Sequence, residues 1–287
     1  MGLIIHFLKF PPLTDTTWGL PNRLLGPFTN TNFLAQSYFL ILVTLVGLFV
    51  SHIQSRSKID VTLIAVAIVL LSVVLFFTFN RSIWLAGLFS FPIIFSFWKK
   101  RAAITIAALM LLTIIVLYIG NIGNFSSRIH QTLNPTVQDD VVRFNLWQAN
   151  LHIFKSNPIF GVGYYNNTRN IQRYFNELGM TEGTINTHAH NEVLSFLAGT
   201  GITGTILFLA IFYCFAQMAL KSLKKMPINM PVRRGLLIGA FAIQPSFLIA
   251  GFADNNFEIY VARNFLVFSW ALILYIYVEF KENSSLI

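Results

Sequence analysis

Two histidines stand close together in the stretch HAHNEV, at residues 188–193. Imidazole is the side chain whose ordinary pKa lies nearest neutral pH, so a histidine can accept and return a proton there. His188 and His190 therefore suggest either a general base or part of a metal site. The alternative for both is a structural role, as a helix cap or in the headgroup belt at a membrane surface.

The metal interpretation is the weaker of the two chemical ones. Zinc needs three or four ligands, and a helical histidine pair is normally spaced four residues apart. His188 and His190 are only two residues apart, and the single cysteine, Cys214, lies within an apolar run. A general base at His190 is therefore the stronger of the two chemical interpretations, beside the structural alternative, and we predict no metal ion.

Two arginines and an aspartate stand outside the apolar runs. Arg81 lies in FTFNRS, Arg143 in VVRFNLW and Asp254 in GFADNN. Guanidinium groups bind phosphate through two parallel hydrogen bonds, so two arginines with a neutral imidazole suit a phosphate-bearing substrate. The alternatives are that Arg81 extends toward lipid phosphates and that Arg143 lies on a solvated face near Asp139 and Asp140.

Three glycines, Gly199, Gly201 and Gly204, spell the GxGxxG pattern of a dinucleotide-binding turn. That turn needs a preceding strand, a following helix and an acidic residue about twenty positions later. Here apolar, helix-like sequence lies on both sides, and lysines occur near position 220. We predict that the glycines allow close helix packing in a membrane and that the protein binds no cofactor.

The elements that position these residues are membrane spans. The chain has 287 residues, of which 55% are hydrophobic and 11% charged, whereas soluble domains carry about 25% charged residues. Several apolar runs approach the roughly 20 residues that cross a bilayer as a helix. We predict an all-α polytopic membrane protein with about seven transmembrane helices, at residues 35–52, 60–79, 82–98, 102–120, 191–218, 235–253 and 261–279.

Basic residues cluster in short loops between alternate spans, including residues 99–101 and 221–225. The positive-inside rule places these loops and the C-terminus in the cytoplasm, and the N-terminus outside. Arg81, Arg143, His190 and Asp254 then all fall on the outer side of the membrane. The clusters also account for the net charge of +9 without a nucleic-acid partner.

Three parts follow along the chain. Residues 1–120 hold an outer N-terminal segment and four spans, residues 121–190 form one large outer loop, and residues 191–287 hold three spans. Long loops between spans are usually functional. Within the loop, VVRFNLWQANLHIF predicts an amphipathic helix whose apolar face includes Leu146 and Trp147, and NPIFGVGYYNN predicts a turn.

With these residues in place, the sequence resembles the O-antigen ligase and O-antigen polymerase superfamily of bacterial envelopes. The stretches FNRSIWLAG, VVRFNLWQANLHIFKSNPIFGVG and GPFTNTNFLAQ are similar to its arginine turn, its large periplasmic loop and its entry to a span. HNEVLSFLAGTGITG fits the ligase signature, in which His190 and Asn191 are followed after nine residues by Gly-x-x-Gly. The likeness covers most of residues 25–260.

The resemblance implies a metal-independent membrane glycosyltransferase of the C type, in the inner membrane with its active site facing the periplasm. Such enzymes take a glycan from undecaprenyl pyrophosphate and attach it to an acceptor hydroxyl. For a ligase, the acceptor is lipid A-core. It further implies His190 as the general base and Arg81 and Arg143 as the pyrophosphate-binding residues. His188, Asn191 and Asp254 are expected to support them.

Several alternatives stay open at the level of sequence. An O-antigen or exopolysaccharide polymerase or a protein O-oligosaccharyltransferase would use the same donor chemistry with another acceptor. A transporter would need ionisable groups at mid-membrane, and the predicted spans lack them. Family members usually have about twelve spans, so seven spans would also fit a C-terminal portion, a split gene, a short relative or an inactive assembly subunit.

Overall fold

In a computed structural model, the structure describes residues 31–55, 58–121, 138–179 and 189–284, together with 14–15, 23–24, 126 and 130. Two short strands, β1 (Thr14–Asp15) and β2 (Arg23–Leu24), pair antiparallel. The described helices are α1 (Thr31–Ser55), α2 (Lys58–Phe76), α3 (Arg81–Ser96), α4 (Lys100–Ile119), α5 (Gln138–Ser156), α6 (Asn166–Glu177), α7 (Glu192–Lys225), α8 (Pro231–Gly251) and α9 (Tyr260–Ser284).

All seven predicted spans coincide with helices, as expected where a backbone must satisfy its own hydrogen bonds in lipid. Five of these helices are long and apolar enough to cross a membrane: α1, α4, α7, α8 and α9. Shorter apolar helices cover Val61–Phe76 and Arg81–Ser96. The chain is therefore a helical membrane protein, while seven crossings and a periplasmic loop remain predictions.

The chain divides into two compact units. The first comprises residues 1–107, 214–250 and 256–287 as far as they are described. In this unit α1 packs closely on α8, because a Cβ atom at Gly47 would lie 2.7 Å from the carbonyl oxygen of Gly235. Glycines allow such backbone approach between helices in lipid. A buried hydrogen bond of 2.7 Å between the hydroxyls of Ser90 and Ser246 joins α3 to α8.

The second unit comprises residues 108–213 and 251–255 as far as they are described. Its core lies between α5 and α6, where Leu146 and Ile153 are buried with Phe175. Asn167 donates a buried hydrogen bond of 2.8 Å to Asn150, which satisfies both amides inside this core. The long segment between the spans therefore contains a folded helical pair.

The helix predicted for VVRFNLWQANLHIF is confirmed as α5, but the predicted apolar face is partly wrong. The buried stripe runs through Leu146, Ala149 and Ile153, whereas Trp147 is 36% exposed and Leu151 40%. The small side chain of Ala149 lies in the core that α5 forms with α6. The prediction rested on hydrophobicity alone, which favoured larger side chains such as Trp147 for the buried face. Helix α6 was not predicted, because its sequence NNTRNIQRYFNE carries few apolar residues.

Candidate functional site

The first structural feature of the site is a break in α7 at Gly201, where φ is 66° and ψ is −169°. Only glycine adopts this backbone conformation readily. The backbone groups that lose their helical partners there bond instead to the loop 158–163. Four hydrogen bonds make this connection: Val162 N to Ala198 O (3.1 Å), Gly163 N to Gly199 O (2.7 Å), Ile202 N to Pro158 O (2.8 Å) and Thr203 N to Ile159 O (3.3 Å).

This pairing explains two of the glycines in the GxGxxG pattern. A Cβ atom on Gly201 would collide with the carbonyl oxygen of Ile159, and one on Gly199 would lie 3.2 Å from the Cα atom of Tyr164. The predicted close approach is present, but its partner is the turn after α5 rather than another span. The loop and the break together fix where the first part of α7 lies within the second unit.

Asn191 caps the start of α7 and attaches the helix to the turn 251–255. Its side-chain oxygen accepts from the backbone N–H of Leu194 at 3.1 Å, as an N-cap residue does. Its side-chain nitrogen donates to the carbonyl oxygen of Phe252 at 3.1 Å. Its backbone N–H donates to Asn255 Oδ1 at 3.0 Å. One residue thus caps the helix and holds the turn beside it.

His190 precedes this cap and faces the same turn. Its Nδ1 atom lies 3.7 Å from Asp254 Oδ1, and the side chains of the two residues are only 14% and 10% exposed. The backbone N–H of Asn255 donates to Asp254 Oδ1 at 3.0 Å, which fixes the carboxylate. The arrangement places a largely buried imidazole next to a carboxylate.

Arg143 reaches this turn from α5. Its Nη1 atom donates to the carbonyl oxygen of Ala253 at 3.4 Å, and the residue is partly buried. The structure therefore brings His190, Asn191, Asp254 and Arg143 together around residues 251–255. A base, a carboxylate and a guanidinium group at one turn can accept a proton and bind an anion at neighbouring positions.

Arg81 belongs to the first unit. It is the exposed first residue of α3, directly after the N-cap Asn80. Asn80 Oδ1 accepts from the backbone N–H groups of Ser82 at 2.9 Å and Ile83 at 3.3 Å. The start of a helix favours anions rather than cations, so a guanidinium group placed there suits the recognition of a negatively charged group.

His188 lies outside the described residues. Among the residues that the structure does describe, no group of three or more His, Cys, Asp or Glu side chains could hold a metal ion.

Three residues near His190 were missed by the sequence analysis. Trp147 donates from Nε1 to the carbonyl oxygen of Ala189 at 2.7 Å, and Asn255 accepts from Asn191. Glu192, in the first turn of α7, is only 3% exposed. The polar run DNN directly after an apolar span was the available signal for Asn255, whereas Trp147 was assigned to an apolar face.

Comparison with known protein families gives a match to part of the chain. The family model for O-Antigen ligase matches residues 66–209, half of the 287-residue chain. The matched segment includes Arg81, Arg143 and His190, and it ends before the turn that carries Asp254. No curated protein matches the chain.

Proposed function

From the premise that this chain belongs to the O-antigen ligase family, we propose that it transfers a glycan from undecaprenyl pyrophosphate to an acceptor hydroxyl. The family supports glycosyl transfer of the ligase or polymerase type, and the apolar helices make the chain a membrane protein. The identity of the donor, the identity of the acceptor and the roles of individual residues are part of this proposal.

The observation that carries this proposal is the pairing of His190 with Asp254 at the turn where Arg143 also arrives. The acceptor hydroxyl gives its proton to the imidazole as its oxygen bonds to the anomeric carbon of the glycan. Asp254 lies on the Nδ1 side, so Nε2 is the nitrogen assigned to the hydroxyl. The carboxylate then stabilises the imidazolium that forms, as in other base–carboxylate pairs.

The bond that breaks joins the anomeric carbon to the pyrophosphate oxygen, and the electron pair leaves with the pyrophosphate. Negative charge therefore grows on the leaving group in the transition state. Guanidinium groups positioned for that charge lower the barrier because they bind it more strongly as it develops. We assign this role to Arg143 and to Arg81, with no metal ion required.

The proposal places the site on the periplasmic side of the inner membrane. Its support is the distribution of basic residues, which gather at residues 99–101 and 221–225 as cytoplasmic loops do. Undecaprenyl pyrophosphate and a lipid-anchored acceptor both reside in the membrane, so a site at the ends of the helices can receive both. Lipid A-core is the proposed acceptor, because the ligase signature around His190 is complete.

Purified protein in lipid nanodiscs, given undecaprenyl-pyrophosphate glycan and an acceptor, tests the proposal. His190→Ala is expected to lower the transfer rate about 10²- to 10⁴-fold, the usual contribution of a general base. His152→Ala is the matched control, because His152 is a partly buried histidine of the same unit that pairs with Glu177. Asp254→Asn should also reduce the rate, through loss of the carboxylate.

Three acceptors separate the possible activities. Transfer to lipid A-core identifies a ligase, transfer to a second lipid-linked repeat a polymerase, and transfer to a protein hydroxyl an oligosaccharyltransferase. Full activity after EDTA treatment would agree with a metal-independent mechanism. Undiminished transfer by the His190→Ala variant would contradict the assignment of the base.

A further inference from the structure

His190 has an unusual backbone conformation. Its φ is 46°, in the left-handed region that side chains other than glycine rarely adopt. Within the described residues, the non-glycine residues with positive φ are Phe79, Asn121, Tyr165 and His190. A strained conformation persists only where surrounding contacts hold it, and such residues concentrate at functional sites. Contacts that fix the backbone on both sides of His190 are present in the structure.

The peptide group before His190 is held by α5. Trp147 donates from Nε1 to the carbonyl oxygen of Ala189 at 2.7 Å. Ala189 is completely buried, and the hydrogen bond itself is partly buried. An indole N–H is a donor only, and it is carried on a large rigid ring, so it locates the carbonyl oxygen of Ala189 in one position.

The peptide group after His190 is held by the turn 251–255. The backbone N–H of Asn191 donates to Asn255 Oδ1 at 3.0 Å. The same oxygen accepts from the hydroxyl of Ser195 at 3.3 Å. Asn255 is 3% exposed, and its own backbone N–H donates to Asp254 Oδ1. The side chain of Asn255 therefore sets the position of the backbone after His190, and the main chain of Asn255 sets the position of the Asp254 carboxylate.

We propose that Trp147 and Asn255 are positioning residues that hold the flanking peptide groups and so keep the His190 imidazole directed at Asp254. Neither residue needs to touch the substrate. Without either hydrogen bond, His190 can relax toward a right-handed or extended conformation, and its imidazole turns away from the carboxylate. The significance for catalysis rests on the proposed function, in which His190 is the base.

Carbethoxylation by diethyl pyrocarbonate, followed at each histidine by mass spectrometry of the full-length protein, measures this position independently of activity. Trp147→Phe removes the N–H donor and keeps an aromatic ring, and Asn255→Ala removes the acceptor. Both variants are expected to raise the labelling rate of His190 at least threefold, because its imidazole is only 14% exposed in the native arrangement. His130 and His152 act as internal references, whose rates should stay constant.

Trp98→Phe is the matched control, because it removes an indole N–H just after α3 in the other unit. In the transfer assay, Trp147→Phe should lower kcat at least tenfold and change the KM for the donor less than twofold. This split distinguishes loss of positioning from loss of substrate binding. The Trp98→Phe control should retain the wild-type kcat and the wild-type His190 labelling rate.

An unchanged His190 labelling rate in the Trp147→Phe variant would overturn the proposal, whatever its kcat. An equal rise at His130, His152 and His190 would also overturn it, because that pattern reports general loosening. Trp147→Phe is the conservative substitution, so it decides the matter if Asn255→Ala does not fold. If the wild-type protein transfers no glycan, the proposed function fails, and the labelling rates still decide whether His190 is positioned in this way.

Discussion

At the scale of single residues, the candidate site depends on side chains that hydrogen-bond to backbone as well as on those that could react. Asn191 and Asn255 together satisfy several main-chain groups around His190. Buried backbone groups without partners are costly, so these asparagines stabilise an irregular segment that contains the proposed base. The reactive side chain and its support are therefore different residues.

The geometry of a guanidinium group, rather than its charge alone, is the basis of the first residue-scale prediction. Arg143→Lys keeps the positive charge but loses the planar pair of donors that fits a phosphate group. We expect the transfer rate to fall about 100-fold, a typical loss when one donor to a developing negative charge is removed. The rate is measured with undecaprenyl-pyrophosphate glycan, and Arg81→Lys should also reduce it.

Arg169→Lys is the control for this prediction, because Arg169 is an exposed residue of α6 in the same unit as Arg143. Its variant should match the wild type. Wild-type turnover by both Arg143→Lys and Arg81→Lys would instead favour contact of these arginines with lipid phosphates or solvent.

At the scale of elements, the break in α7 gives a prediction about stability. Gly201 and Gly179 have nearly equal φ angles, 66° and 67°, but a Cβ atom on Gly179 meets nothing within 4 Å. Gly179→Ala should therefore cost only the left-handed conformation, about 1–2 kcal/mol. Gly201→Ala should cost more, because its Cβ atom also collides with backbone at Ile159. Thermal unfolding of the two variants in the same nanodisc compares the two effects.

Equal unfolding midpoints for Gly201→Ala and Gly179→Ala would show that the contact with the loop 158–163 adds nothing to stability. A midpoint for Gly201→Ala well below that of Gly179→Ala is the expected result. It would show that the backbone conformation of Gly201 and its contact with the loop 158–163 together cost more than a left-handed conformation at an open position.

The exposed end of α6 gives a prediction about pH. Arg173 Nε donates to Glu177 Oε1 at 2.9 Å, and this hydrogen bond holds the pKa of the Glu177 carboxyl below its ordinary value. His152 Nε2 faces the other carboxylate oxygen at 3.4 Å. A carboxyl whose pKa is lower in the folded state stabilises that state above its unfolded pKa, and this contribution is lost as the pH falls through its folded pKa.

Glu177→Gln should therefore lower the unfolding midpoint slightly at neutral pH, and the difference from the wild type should disappear in acid. The effect is small because Arg173 and Glu177 are solvent-exposed and salt screens their interaction. Thermal unfolding across a pH series at low and high salt checks this. A difference between the two proteins that persists in acid would contradict the ionic explanation.

The elements also show which features a sequence can predict. The apolar runs indicated the helices α1–α4 and α7–α9, because the requirement for internal hydrogen bonding in lipid leaves few alternatives. The break at Gly201 and the left-handed conformation of His190 depend on partners at residues 158–163, 147 and 255, which no local pattern specifies. The exposure of Trp147 was mispredicted for the same reason, since its indole N–H bonds to a backbone group 42 residues away.

At the scale of the whole molecule, charge distribution makes a prediction about orientation. Phe252 is 52% exposed in the turn beside Asp254, and Lys100 lies in a basic cluster. In a Cys214→Ser background, Phe252→Cys should react with a membrane-impermeant maleimide in intact spheroplasts. Lys100→Cys should react only after the membrane is permeabilised. The reverse pattern would place the candidate site in the cytoplasm and contradict the proposed periplasmic reaction.

The sequence predicted Arg81, Arg143, His190 and Asp254 on one side of the membrane. The structure places Arg143, His190 and Asp254 at one turn, and Arg81 belongs to the other unit. Their roles in catalysis remain predictions. Sequence could not supply the atom pairs, because Arg143 and Ala253 are 110 residues apart along the chain. Contacts of that range depend on how the helices between them pack, and local periodicity carries no information about that packing.

The turn 251–255 has a consequence for how the protein is made. Asn191 and Asn255 are 64 residues apart, with α7 and α8 between them. During synthesis, His190 leaves the ribosome well before the turn that holds it, so contacts between these distant segments must form late. A nascent chain that ends within α8 has both proposed arginines and the proposed base, but lacks Asp254 and Asn255. The proposed site can therefore form only after residues 251–255 have been synthesised.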